Sequence, residues 1–189
     1  FELMMGKIFG VASVAVVQVL IWAVLVCGAG AAVMPHVLPD GAMEAAAALQ
    51  QGGGAATAAA GDFDPETLGA IALATDVGYL AMLFGYLLLF VVGGYLLYSA
   101  MFAAVGSAVD NAQDAAQLQT PIMIPIILAV IVEMSVLNDP NSPLAFWFSL
   151  IPFTSPVVMM ARIPYGIPTW EIVLSLVLLY AAFVGMVWL

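Results

Sequence analysis

Three polar side chains lie within or beside long apolar runs, where they could serve transport or helix packing. Gln18 is in the middle of one run, Glu133 is near the end of another, and Arg162 ends a proline-broken segment. Polar groups are costly in lipid and usually face a bundle interior or a water-filled path. Gln18 could therefore bond a neighbouring helix or line a path, and Glu133 could either reach the interface or bind a transported ion.

Arg162 has two possible roles. It could pair with Glu133 or Glu171, because an intramembrane charge needs a partner. It could also be a plain interfacial anchor, with its head group in water and its stem along apolar surface. From the sequence we favour the anchor.

Catalytic and metal-binding patterns are missing from the sequence. Gly6-Lys7 lacks a glycine five residues before the lysine, so it is not a phosphate-binding loop. His36 stands alone without ligands at metal-binding spacing and is typical of an interfacial histidine. The single cysteine, Cys27, can form neither a disulfide nor a thiolate cluster within the chain, and we expect a small buried residue. We expect no enzyme and no cofactor or metal site in this chain.

Composition places these residues in a membrane protein. Of the 189 residues, 65% are hydrophobic and 7% charged, whereas soluble domains carry about a quarter charged residues. About 20 apolar residues span a bilayer core, and several runs reach that length. Twelve acids against two bases give a formal net charge of −10. The chain thus has no basic patch for nucleic acid.

The order of apolar and polar segments predicts an all-α polytopic bundle with four spans and a proline-broken re-entrant hairpin before the last span. The first seven residues have an amphipathic composition that suits a helix at the membrane surface. The predicted segments are a tail at 1–7, a span at 8–34, an Ala/Gly-rich loop at 35–76, a span at 77–109, a polar elbow at 110–119, a span at 120–137, the hairpin at 143–162 and a span at 168–189.

The loop at 35–76 is low in complexity and should not supply a packed core. One short helix is predicted inside it, beginning at Asp40 and ending at Gly52. Asp64-Pro65-Glu66 has the layout of a second helix start, which explains its acids better than a calcium site does. We expect most of this loop to be mobile and extramembrane.

The hairpin consists of two apolar segments split by Pro152 and Pro156. Each is only about 10 to 14 Å long as a helix, too short to span. Irregular backbone at membrane depth requires surrounding protein or a wet cavity, so the pattern favours a re-entrant hairpin. A hairpin lying flat at the interface is the alternative. Phe148 and Phe153 are suited to filling an apolar gate if the hairpin closes a path.

Several motifs together resemble the permeases of type 2 ABC exporters, and most of all their sodium-efflux-type (Nat-type) branch. The resemblance extends over most of the chain outside the Ala/Gly loop. It rests on Gly6–Gly10 (GKIFG), Gln18–Trp22 (QVLIW), Gly94–Asp110 (GYLLYSAMFAAVGSAVD) and Pro143–Pro164 (PLAFWFSLIPFTSPVVMMARIP).

The resemblance implies a complete permease of six spans, of which this chain would be a C-terminal fragment holding the last four. It places the Lys7 side in the cytoplasm and the hairpin in the outer leaflet of a plasma membrane, which we expect to be bacterial. Glu2, Met5 and Lys7 would belong to the region that couples to a separate ATPase subunit. That subunit would bind ATP and magnesium, and paired permeases, identical or different, would form the path for outward transport among membrane lipids.

Two other functions remain open from the residues alone. A secondary transporter could use Glu133 as a proton or sodium site beside broken helices. A non-transporting membrane scaffold could dock partners through the loop. The sequence names no substrate, because no buried carboxylate cluster or carbonyl-rich filter is evident.

Overall fold

The computed structural model describes residues 2–38, 41–50, 64–109 and 111–188, and within these ranges every regular element is helical. Contacts divide the chain into two compact units, Val17–Gly85 and Phe1–Val16 with Tyr86–Leu189. The helices are α1 (Glu2–Val37), α2 (Ala42–Gln50), α3 (Pro65–Thr75), α4 (Val77–Ala108), α5 (Ala112–Val136), α6 (Pro143–Leu150), α7 (Ser155–Arg162), a 3₁₀ turn (Ile163–Tyr165) and α8 (Thr169–Trp188).

Four of these helices, α1, α4, α5 and α8, are long and apolar enough to cross a membrane. The all-α polytopic bundle is therefore confirmed. Helix α4 has 32 residues, about 48 Å at 1.5 Å per residue, which exceeds the roughly 30 Å hydrocarbon core. It forms one unbroken helix, as the uncharged run predicts.

The first helix corrects the expected division between a surface helix and a span. Glu2–Val37 is continuous, so residues 2–7 form the first turns of α1 rather than a helix of their own. Leucine, methionine and lysine are good helix formers, which explains why the helix begins before the apolar run.

In the membrane-length window of α1, Ser13–Gly30, no residue is buried. Cys27 is exposed there, so its expected burial is wrong within this chain.

The unit containing α2 and α3 corrects the expectation that the Ala/Gly-rich region has no packed core. Ala42 and Ala46 of α2 pack with Ile71 of α3 in a small buried cluster. Alanine favours helix and permits close approach, so an alanine run can build an interface. Asp40, Gly52 and the segment 51–63 lie outside the described residues. The helix start at Asp64-Pro65 is confirmed, although the Asp64 side chain makes no capping hydrogen bond.

The polar elbow is shorter than predicted. Helix α5 begins at Ala112, so Gln117 and Gln119 belong to its first turns. Glutamine is a good helix former, and its polarity marks exposure to water rather than a break in the helix. The predicted turn after α5 is confirmed, since α5 ends at Val136 and the Ser142 hydroxyl accepts from the Ala145 N–H at the start of α6.

Candidate functional site

The two short helices of the predicted hairpin exist and fold back on one another. Helix α6 ends at Leu150 and α7 begins at Ser155, so the tip lies between them. The hairpin packs against α5 through a buried cluster, with Phe148 half-buried on its edge. The cluster comprises Ala129, Val132 and Val136 of α5, Ala145 of α6 and Val158 of α7.

At the tip of the hairpin, hydroxyl groups of the same chain donate hydrogen bonds to two backbone carbonyls. Thr154 Oγ1 donates to the Phe148 carbonyl at 2.5 Å. Tyr98 OH of α4 donates to the Phe153 carbonyl at 2.5 Å. Buried carbonyls without partners are costly, and more so where water is scarce. These bonds let the tip keep an irregular backbone without solvent.

Two adjacent glycines on α4 allow the hairpin and the last span to approach closely. A Cβ atom added at Gly94 would lie 2.9 Å from Pro156 Cγ, and one added at Gly93 would lie 2.7 Å from Leu179 Cδ2. Both glycines are buried. Tyr180 of α8 also donates its hydroxyl hydrogen to the Leu89 carbonyl of α4 at 3.1 Å. The glycines therefore form a notch in α4, defined by Gly93 and Gly94, against which α8 and the start of α7 pack.

Arg162 is buried and paired with Glu171, which corrects the interfacial-anchor interpretation. Arg162 Nη1 lies 3.0 Å from Glu171 Oε2, and the two side chains are 2% and 10% exposed. Its Nε donates to the Pro140 carbonyl at 2.9 Å and its Nη1 donates to Ser149 Oγ at 2.6 Å. The arginine thus joins the end of α7 to the turn between α5 and α6, to α6 itself and to α8.

The Arg162–Glu171 contact is close but not aligned. Glu171 Oε2 is buried and has no hydrogen-bond donor with suitable geometry, although the guanidinium lies at 3.0 Å. Its attraction to Arg162 is therefore mainly Coulombic, and the aligned Nη1 bond goes to Ser149. The carboxylate is the less satisfied member of the pair.

One further hydrogen bond completes this buried polar network, which we define as Arg162, Glu171, Ser149 and Ser175, and aromatic rings lie beside it. Ser175 Oγ of α8 donates to the Ser149 carbonyl at 2.7 Å. The Phe146 ring lies 6.0 Å from Arg162 Cζ and contacts Trp170, with centroids 6.4 Å apart. All four members of the network are buried. The network joins both hairpin helices to the first turns of α8.

Among the described side chains, none of the other predicted site residues is a member of this network. Gln18 is exposed on α1, and Glu133 is half-buried near the end of α5. The ion pair of Arg162 is with Glu171 and not with Glu133. Glu2, Met5 and Lys7 lie in the first two turns of α1, and their side chains are outside what the structure describes. In the described part of the chain, no group of three His, Cys, Asp or Glu side chains could hold a metal ion.

Sequence reasoning missed the hydroxyl groups that make the hairpin possible. Tyr98, Ser149 and Ser175 are ordinary residues of apolar helices whose partners lie 55, 13 and 26 residues away. Thr154 lies at the tip and bonds the Phe148 carbonyl six residues before it. One signal was available, because the prolines at the tip remove donors and leave nearby carbonyls in need of partners. It indicates that donors are needed without identifying them.

Replacing Tyr98 with phenylalanine should destabilise the hairpin while keeping the ring. The Phe153 carbonyl would lose its donor, at a cost of about 1–3 kcal/mol for a buried unsatisfied group. A fall in the melting temperature of the purified protein checks this. Tyr165→Phe is the matched control, since Tyr165 is exposed, and it should not change the melting temperature. Equal melting temperatures for Tyr98→Phe and the native protein would contradict the role assigned to the hydroxyl.

Comparison with known proteins identifies the family. The family model described as "ABC-2 family transporter protein" matches residues 1–189. Neither a curated protein nor a solved structure matches significantly. The family supports a multi-pass permease subunit that pairs with an ABC ATPase subunit, in agreement with the four membrane-length helices. The chain belongs to the ABC-2 family of transporter proteins.

Proposed function

We propose that this permease exports an ion or a small amphiphilic substrate, and that the α6–α7 hairpin closes the external end of the path. The observation that carries the proposal is the hairpin tip, whose carbonyls are bonded by Thr154 and Tyr98. A tip with satisfied backbone can lie at membrane depth, as a re-entrant element requires. The resemblance to sodium-efflux-type permeases supports the outward direction.

The gate would be formed by the apolar surface around the tip. Phe153 is half-buried at the tip, and Phe148 is half-buried beside the cluster on α5. The Phe148 ring packs against the buried cluster, so a gate that includes it would move together with the hairpin and α5. Trp147 points outward, being 63% exposed.

The driving force would come from the ATPase partner. Glu2, Met5 and Lys7 lie at the start of α1, and we assign them to the coupling region on the cytoplasmic side. ATP and magnesium would bind the ATPase, two permeases would enclose the path, and the assembly would reside in a bacterial plasma membrane. Glu133 is half-buried near the end of α5 and belongs to no group of three His, Cys, Asp or Glu side chains among the described residues, and a proton or sodium site there stays the alternative.

Labelling of single cysteines tests the gate and the ATP coupling together. In a Cys27→Ser background, Phe153→Cys is labelled with an impermeant external thiol reagent, with the ATPase partner either nucleotide-free or trapped with ATP. We expect the labelling rate to differ between the two states, because closure of the ATPase would move the external gate. Stimulation of the partner's ATP hydrolysis by the reconstituted permease measures coupling separately.

Asn141→Cys is the control for this experiment. Asn141 is exposed in the turn between α5 and α6, so it should be labelled equally in both states. A constant rate at Phe153→Cys, with coupling intact, would remove the gate from the proposal but keep the permease. Loss of stimulated ATP hydrolysis in every preparation would contradict the ABC transport function itself.

A further inference from the structure

The last span carries two exposed tryptophans whose separation matches the thickness of a membrane. Trp170 is 58% exposed at the beginning of α8, and Trp188 is 88% exposed at its end. They are 18 residues apart, which is about five helical turns and about 27 Å along the axis. Five whole turns place them on the same face, and 27 Å is close to the roughly 30 Å hydrocarbon core.

The residues between the tryptophans show that this face is continuous. Val173, Val177 and Val184 are exposed and lie within about 60° of the tryptophans around the helix. The opposite side of α8 is buried against the same chain. That buried side comprises Glu171, Ile172, Ser175 and Leu179. Helix α8 therefore has one packed face and one exposed apolar face that includes Trp170 and Trp188.

We propose that the tryptophan face of α8, defined as Trp170, Val173, Val177, Val184 and Trp188, contacts bilayer lipid, with one tryptophan at each membrane interface. Tryptophan prefers the head-group level, where its ring is in apolar surroundings and its N–H reaches polar partners. A protein partner covering this face would impose no requirement for tryptophan at these two ends. The proposal rests on membrane insertion alone and not on what is transported.

This position sets the depth of the polar network and the hairpin. Glu171 follows Trp170 directly, so the Arg162–Glu171 pair lies at the same interface. Leu179 follows Trp170 by nine residues, which is about 13 Å along the axis of α8 and therefore deeper in the membrane. Gly93 abuts Leu179, and its neighbour Gly94 abuts Pro156 at the start of α7. The hairpin tip thus reaches about halfway across the hydrocarbon core, which favours the re-entrant arrangement over a hairpin lying flat.

Tryptophan quenching by brominated lipids tests the proposal. The chain has four tryptophans, so variants that keep only Trp170 or only Trp188, with the others replaced by phenylalanine, are reconstituted in vesicles. The vesicles contain phosphatidylcholine brominated either near the carboxyl end or near the methyl end of its acyl chains. Both tryptophans should lose more fluorescence with the shallow bromines. Val177→Trp in a background without the other four should lose more with the deep bromines, since it lies on the same face between them.

The outcomes are distinct. Shielding of Trp170 and Trp188 from both lipids would mean that protein covers the face, and would overturn the proposal. Stronger quenching of either one by the deep bromines would overturn its place at the interface. Should the multiple replacements impair folding, nitroxide labels at Trp170→Cys and Trp188→Cys, with Cys27→Ser, report depth through oxygen and nickel accessibility. ATP-dependent labelling of Phe153→Cys can succeed or fail independently of these results.

Discussion

Arg162→Met is expected to cause a large loss of stability. The methionine leaves Glu171 buried without its counter-charge, and breaking a buried ion pair by removing one partner costs about 3–5 kcal/mol. The Pro140 carbonyl and Ser149 Oγ also lose a donor. Thermal unfolding of the purified protein measures the effect, and we expect Arg162→Met to have the lowest melting temperature of the variants described here.

Glu171 variants separate the charge from the hydrogen bonds. Glu171→Gln retains both aligned bonds of Arg162 and should cost less than Arg162→Met. The double variant Arg162→Met with Glu171→Leu removes both charges, and such apolar replacement is often neutral or stabilising. Part of the stability lost in Arg162→Met should therefore be recovered.

Asp114→Asn is the control for the acid-to-amide change at Glu171, because Asp114 is exposed. A double variant no more stable than Arg162→Met would rule out the ion pair as the cause.

Gly94→Val is the second substitution with a large expected effect. Its Cβ would lie 2.9 and 3.0 Å from the Pro156 ring, which is too rigid to rotate away. Overpacking of this kind costs about 1–3 kcal/mol, and the strain would fall on the hairpin tip. We expect both a lower melting temperature and a loss of ATP-dependent labelling at Phe153→Cys.

Gly106→Val is the matched control on the same helix. Nothing lies within 4 Å of a Cβ at Gly106, so this valine should leave stability and labelling nearly unchanged. If both valines lower the melting temperature equally, the loss belongs to the helix itself and the notch at Gly93 and Gly94 is not the cause.

The elements of the fold follow closely from hydropathy and prolines. The length of each apolar run predicted four spans, and Pro152 and Pro156 predicted two half-length helices at the places where α6 and α7 occur. Helix boundaries that were predicted from hydropathy were wrong where polar residues are also good helix formers. The elbow was therefore predicted to extend to residue 119, although α5 begins at Ala112.

The partners of polar residues could not be predicted. Arg162 was expected to reach the interface, and the sequence offered Glu133 and Glu171 equally as partners. The choice depends on how α7 turns through Ile163–Tyr165 and Gly166, whose φ of 75° lets the chain reverse into α8. This reversal brings the beginning of α8 beside the end of α7 and places Glu171 next to Arg162.

Hydropathy and the positions of the prolines were enough to predict a helical membrane protein with four spans and a broken hairpin, because lipid requires long apolar helices and prolines interrupt them locally. The folded chain was needed to show that the Tyr98 and Thr154 hydroxyls bond carbonyls of the tip, that Arg162 is buried with Glu171, and that α8 has one packed face and one exposed face. Hydrogen bonds and ion pairs join residues that are distant in sequence, and their geometry depends on the packing of whole helices.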